Sequence, residues 1–140
     1  MKPSKYKSKK VEIDGIMFDS KIEGKYYSAL KIKKRFGEIK SFKLQPVYEL
    51  QPKFNKSDVN YRNITLKADF EMILKDGSEL IVDIKGYPTE TAKLKKKLFD
   101  FKYPDKNLIW LTYSKIDGGW IEYEDLKKAR KLRKKAKVKK

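Results

Sequence analysis

The sequence predicts an α/β domain in which a mixed sheet is flanked by helices and followed by a basic C-terminal helix. Three observations predict it. Between Leu66 and Ile84 every even position outside the turn is apolar, the period of a strand. From Ser20 to about Phe36, and again from about Thr91 to Lys102, they fall at helical spacing. The second of these helices is joined by short segments to an apolar run over 107–113, so strand, helix and strand follow one another as in a parallel crossover unit.

In chain order, residues 1–10 carry five lysines and read as a disordered basic arm. Residues 11–18 read as a small hairpin turning at Asp14-Gly15. The first helix is expected to bury Ile22, Tyr26, Ala29, Leu30 and Phe36, with Gly37 as its stop. A strand is expected over about 47–50, between Pro46 and Pro52, and a polar loop over 53–63. The second helix is expected to turn Leu94, Leu98 and Phe101 inward and Lys93, Lys95, Lys96 and Lys97 mostly outward. Gly118-Gly119 marks a turn before a short edge strand at 120–123, and a basic helix runs on from about Glu124. The organisation is thus one domain over 11–123 with a basic helix and tail over 124–140.

The hairpin over 66–86 carries the sharpest inference. Its even positions Leu66, Ala68, Phe70, Met72, Leu74, Leu80, Val82 and Ile84 are apolar, whereas Asp69, Glu71, Asp83 and Lys85 are odd. A two-residue turn at Asp76-Gly77 would set Phe70 opposite Asp83 and drive charges onto the apolar face. A three-residue loop Lys75-Asp76-Gly77, with Gly77 supplying a positive φ, pairs Met72 with Leu80 and Phe70 with Val82. That register sets Asp69 across from Asp83, with Lys85 on the same face. Like charges opposed on a sheet destabilise it, so the arrangement asks for a counter-ion such as a divalent cation.

Composition limits the chemistry. The chain has no cysteine and no histidine, which removes disulfides, thiolate sites, cysteine nucleophiles and the usual imidazole base. Hydrolysis would need carboxylates, lysine, tyrosine or a hard cation. No apolar run approaches the roughly 20 residues of a membrane span, and the N-terminus lacks a signal-peptide apolar region, so a cytoplasmic setting is expected. The net charge of +17 lies at the ends: residues 127–140 hold ten Lys or Arg and no acid, and the body between the arms has 21 bases against 19 acids. Basic arms on a nearly neutral body point to a polyanion, most simply nucleic acid; a solubilising tail is the other reading.

The order helix, three strands, helix, strand, with Glu23 on the first helix, Ala68-Asp69 on one strand and Asp83-Ile84-Lys85 thirteen residues on, resembles the PD-(D/E)XK nuclease superfamily. The likeness spans about residues 11–113 and is nearest to small phage and prophage nucleases, more distantly to phage junction-resolving endonucleases and TnsA-type transposon-end nucleases. Ala68 stands where the nominal motif has proline. The resemblance implies a restriction-endonuclease-like αβββαβ core and Mg²⁺-dependent hydrolysis of DNA, with Mn²⁺ as a substitute. It implies branched DNA such as a Holliday junction as substrate, a homodimer cutting two strands, and a role in phage recombination inside a bacterial host. Asp69, Asp83 and the Ile84 backbone carbonyl would be metal ligands, Glu23 a ligand of a metal-bound water or a second ion, and Lys85 the group that orients water or stabilises the transition state.

Each residue also has a plainer reading. Asp69 and Asp83 would equally lie on a solvated sheet face. Ser20-Lys21-Ile22-Glu23 is a capping box in which Glu23 closes over the Ser20 amide. Gln45 and Glu71 are accessory candidates beside structural readings, and Gly86 either brings the strand end close to DNA or makes a turn. Lys93, Lys96, Lys97, Arg130, Arg133 and Lys134 are DNA-binding candidates or solvated helix faces. Tyr26, Tyr27 and Tyr87 at such spacings are core before they are base-stacking residues. A non-catalytic nucleic-acid-binding protein, for DNA or RNA, is the competing class.

Overall fold

The computed structural model describes residues 9–138, so residues 1–8 of the expected basic arm and 139–140 of the tail lie outside the described residues. β1 (Val11–Ile13) and β2 (Ile16–Phe18) form the expected hairpin. Asp14 and Gly15 both take positive φ, 55° and 77°, the two-residue turn whose twist matches the strands. α1 (Lys21–Arg35) starts at Ser20, whose Oγ accepts the Glu23 N–H at 3.2 Å, and ends before Gly37 at φ +75°. The small hairpin lies directly on this helix at Gly24, where a Cβ would come within 2.8 Å of Ile13 and Val11. Tyr26, Tyr27 and Leu30 are buried as expected, but Phe36 is 74% exposed, because the helix has run past the sheet by then.

The strand that opens the main sheet is β3 (Ile39–Leu44), which precedes the strand expected at 47–50. Its alternation is hidden by a register shift between Ile39 and Ser41, which puts Ile39 out of phase with Phe42 and Leu44. β4 (Val47–Gln51) is the expected second strand, but it pairs with β7 (Ile64–Lys67) and stays outside the main sheet. Between them β5 (Phe54–Lys56) and β6 (Val59–Tyr61) form a hairpin where a loop was expected. It turns at Ser57-Asp58, both at positive φ, and buries neither face, so it carries none of the alternation that signals a strand.

β8 (Phe70–Leu74) and β9 (Glu79–Ile84) take the three-residue-loop register: Met72 faces Leu80 and Phe70 faces Val82. Leu74 N–H donates to Ser78 C=O at 2.8 Å, Gly77 N–H to Leu74 C=O at 2.9 Å, and Gly77 sits at φ +90°. α2 (Glu90–Lys102), capped by Thr89, leads to β10 (Leu108–Ser114), which pairs parallel to β9. β11 (Gly119–Glu122) forms the far edge, antiparallel to β10, and α3 (Tyr123–Val138) follows at once. The five-stranded order is β11-β10-β9-β8-β3, a mixed sheet flanked by helices.

Each face of this sheet has its own core. Phe70, Met72 and Val82 pack with Tyr26, Tyr27, Leu30 and Phe18 on the α1 side, while Ile81 and Leu108 pack with Phe99, Leu66 and Ala68 on the α2 side. The odd face of the β8–β9 hairpin is therefore covered by α2 and by the β4–β7 ribbon, and is no solvated face. α2 also presents a different side from the expected one. Phe99 is fully buried against Tyr48 and Tyr103, whereas Leu94, Leu98 and Phe101 are 57%, 36% and 87% exposed. The inward side is narrow because the ribbon covers only part of the sheet, and the stems of Lys95 and Lys96 fill its flanks.

Candidate active site

Asp69 occupies the bend immediately before β8. Its backbone N–H donates to Val82 C=O at 3.2 Å, its C=O accepts from Gln45 N–H at 2.9 Å, and its Oδ2 accepts from Ile84 N–H at 2.8 Å. Regular pairing stops at Phe70–Val82, so Asp69 stands across from Asp83 just beyond the last rung. The Asp69 carboxylate stands close enough to Asp83 to act on its ionisation. Lys85, one residue past β9, donates its N–H to Leu111 C=O at 2.9 Å, and its Nζ lies 3.7 Å from Asp83 Oδ2. Asp69, Asp83 and Lys85 thus share one locality, for the reason the register argument supplies.

Burial in this locality is expensive for charge. Asp83 is only 7% exposed, and desolvation, then its hydrogen bond to Asp69 and the Asp69 charge, push its carboxyl up to about 8 against the opposing pull of Lys85. Glu23 reaches the same field from α1. Desolvation first, then the charges of Asp69 and Asp19, push it up to about 7, although the Asp19 N–H and the Ser20 hydroxyl hydrogen-bond its carboxylate. Glu23 is therefore tied to the helix cap and also senses Asp69.

Asp69 and Asp83 each line a cleft of their own. Glu23, Gln45 and Asp69 line one, of about 150 Å³, with the β1–β2 hairpin as its wall. Gln45 sits there at φ 50° between β3 and β4. Asp83 and Lys85 line the other, of about 300 Å³, with Thr65, Leu66 and Lys67 of the ribbon, Thr89, Thr91, Ala92 and Lys95 of α2, and Trp110. Lys67, Lys95 and Trp110 had no place in the sequence-based site. Their only sequence signals were Lys67 two residues before Asp69 and Lys95 on an expected outward helix face.

The other candidates lie further out. Glu71 is buried but held by the Tyr48 hydroxyl and by Lys43 Nζ at 3.3 Å; burial and that same hydrogen bond raise the Tyr48 phenol far above its usual range. Gly86 makes an exposed bend with open space around it and no positive φ, so it is neither a close approach within the chain nor a strained turn. Lys93, Lys96 and Lys97 line a third cleft of about 390 Å³ on the far side of Trp110. Two of them are paired within their own helix, Lys93 with Glu90 at 3.2 Å and Lys96 with Asp100 at 2.9 Å. On α3, Arg130 and Lys134 are exposed, whereas Arg133 is bonded to Asp117 at 2.5 Å and fastens the helix to the turn before β11. Tyr26 and Tyr27 belong to the core.

The donor atoms are all hard oxygens, the kind that Mg²⁺ takes. Among the described residues no group of three or more carboxylates stands close enough to hold an ion together. Asp69 and Asp83 offer oxygen donors of that kind, and Glu23 does not join them in a group of three. Among the described residues no helix is long and apolar enough to cross a membrane. A family model described as "Protein of unknown function (DUF1064)" matches residues 3–118, which encloses all of Glu23, Asp69, Asp83 and Lys85. Comparisons with curated proteins and with solved structures return no match.

Proposed function

The chain belongs to the family described as "Protein of unknown function (DUF1064)", and for this member we propose a Mg²⁺-dependent endonuclease that hydrolyses phosphodiester bonds of DNA. The observation that carries the reading is Asp83 with Asp69 across from it and Lys85 Nζ 3.7 Å away, Asp83 and Lys85 lying in a cleft that Lys67 and Lys95 also line. A buried carboxyl raised by desolvation and by a neighbouring carboxylate is costly in a structural role, and a bound cation offsets that cost. Asp69, Asp83 and the Ile84 carbonyl would hold Mg²⁺, which when bound lowers the pKa of a coordinated water and neutralises charge on the phosphate. Mn²⁺ would substitute for it.

The chain's own groups supply the rest. Ile84 N–H holds the Asp69 carboxylate through Oδ2. Lys85 Nζ can hold the attacking water or a phosphate oxygen, and its anchored backbone keeps it beside Asp83. Lys67 and Lys95 provide positive charge for adjacent phosphates. Glu23 and Gln45 face the site from the other cleft and orient groups there. Selectivity for branched DNA and a homodimer that cuts two strands belong to the same proposal.

The test is cleavage of a four-way junction, a flap, a linear duplex and a single strand at equal salt, with Mg²⁺, Mn²⁺ or EDTA. Cleavage is expected only with a divalent cation, most rapidly on the junction, and Asp83→Ala or Lys85→Ala should abolish it while leaving DNA binding within a few fold. Activity retained by either variant would sink the nuclease reading, and equal cutting of all four substrates would remove the selectivity. A protein that binds DNA with no response to EDTA or Mg²⁺ would be a non-catalytic binder.

A further inference from the structure

The β4–β7 and β5–β6 ribbons are one continuous hairpin. The pairs Gln51–Ile64, Phe54–Tyr61, Asn55–Asn60 and Lys56–Val59 keep a single register from the middle of the ribbon to its tip, after the shift between Glu49 and Gln51. Its base is fixed: Leu66 is buried, Tyr48 packs edge-on to Phe99 and Tyr103, and the Tyr103 hydroxyl donates to Glu49 C=O at 2.7 Å. The same base supplies Thr65, Leu66 and Lys67 to the wall of the cleft that holds Asp83 and Lys85. Beyond Gln51 every described residue up to Asn63 is exposed. Six residues of strand at about 3.3 Å each carry this free half roughly 20 Å from its root.

The free half is two-sided. Pairing puts Phe54, Tyr61, Lys56 and Val59 on one side and Asn55 and Asn60, followed by Lys53 and Arg62, on the other. Phe54 and Tyr61 stack at 4.6 Å with planes 9° apart, which stiffens the ribbon although both remain nearly half exposed. Asn55 Nδ2 donates to Asn60 Oδ1 at 2.7 Å, a bond that leaves Asn55 Oδ1 and Asn60 Nδ2 unused on an exposed surface. Residues 53–62 contain three bases and one acid. No carboxylate is paired with Lys53, Lys56 or Arg62 among the described residues.

We propose that this ribbon is a DNA-contacting arm that enters the major groove of a duplex beside the cleft, with Asn55 and Asn60 toward the base edges and Lys53 and Arg62 on the flanking phosphates. The B-form major groove admits a two-stranded ribbon, whereas the A-form groove of RNA is too narrow, and asparagine amides match the donor and acceptor edge of adenine. The charge of the arm favours a polyanion over a second copy of this chain, which carries +17. A reach of roughly 20 Å corresponds to about 6 base pairs at 3.4 Å each, so the arm grips duplex about half a turn from the cleft. The inference rests on the proposed DNA substrate, but a binding experiment tests it independently of cleavage.

The test compares the full chain with Lys53→Ala/Arg62→Ala and Asn55→Ala/Asn60→Ala variants for binding of a 30-base-pair duplex in EDTA across a salt series. Sedimentation and thermal melting run in parallel. Loss of two phosphate contacts should weaken binding about tenfold or more at low salt and flatten the logarithmic salt slope by about 2. The asparagine variant should lose preference among duplex sequences with its salt slope unchanged. Unaltered affinity and slope in both variants would overturn the arm, as would a fall in sedimenting mass, which would make it a contact between copies. Wild-type protein that binds duplex through the arm yet cuts nothing with Mg²⁺ would defeat the nuclease reading and leave the arm standing.

Discussion

Asp83 is the most strongly raised carboxyl among the described residues. Its folded pKa of about 8 stands far above the unfolded value of about 3.9, so between those limits the folded state holds a proton that the unfolded state lacks. Its contribution to stability is complete below pH 4 and is lost as pH rises through 8. Metal-free protein should therefore lose melting temperature from pH 5 to pH 8, and Asp83→Asn should flatten that slope; parallel slopes for the two proteins would refute the assignment. On the proposed reading Mg²⁺ would bind the ionised carboxylates, so at 100 times its Kd it should add about 2.7 kcal/mol at pH 8 and much less at pH 5. The lysines divide by their partners. Lys67→Ala and Lys95→Ala, which line the Asp83 cleft, should each weaken DNA binding several fold, whereas Lys93→Ala, already paired with Glu90, should change it little. Equal losses in all three, measured at one salt concentration, would contradict this.

Among the elements, the β8–β9 hairpin was legible because its two signals are local. Parity excludes the two-residue turn, and Gly77 supplies the φ of +90° that the three-residue loop requires. A Cβ at Gly77 meets only Lys40 Nζ at 4.0 Å, so Gly77→Ala should cost about 1–2 kcal/mol from backbone strain alone, read in chemical denaturation. α2 was legible as a helix but not in its facing. Leu94, Leu98 and Phe101 form the stronger apolar stripe, yet the ribbon offers a narrow aromatic seat that Phe99 fills. Phe99→Ala should accordingly cost about 3–5 kcal/mol and Phe101→Ala almost nothing. A larger loss for Phe101 would reverse the facing. β3 and the β5–β6 hairpin were missed for opposite reasons, the first because a bulge breaks its period and the second because it buries no face.

At the scale of the whole molecule, charge and topology act together. With a net charge of +17, the proposed DNA association should weaken steeply with salt, by about 0.9 logarithmic units per decade of salt for each phosphate neutralised. A slope near zero in a filter-binding or anisotropy series would remove nucleic acid as the partner. The sheet order brings Glu23 from α1 and Lys95 from α2 to the two sides of the Asp69–Asp83 pair, so the candidate site is assembled at the end of β9 where both helices reach it.

The sequence by itself determined the register that brings Asp69, Asp83 and Lys85 together. That register follows from a two-residue period and one glycine, both properties of twenty neighbouring residues. Only the tertiary structure decided that the face carrying these carboxylates is covered, that Glu23 stands in their field from within a helix cap, and that Lys67, Lys95 and a protruding ribbon surround the cleft. These depend on which surfaces remain to be buried once the sheet exists. That competition among distant segments leaves no periodic mark in any of them.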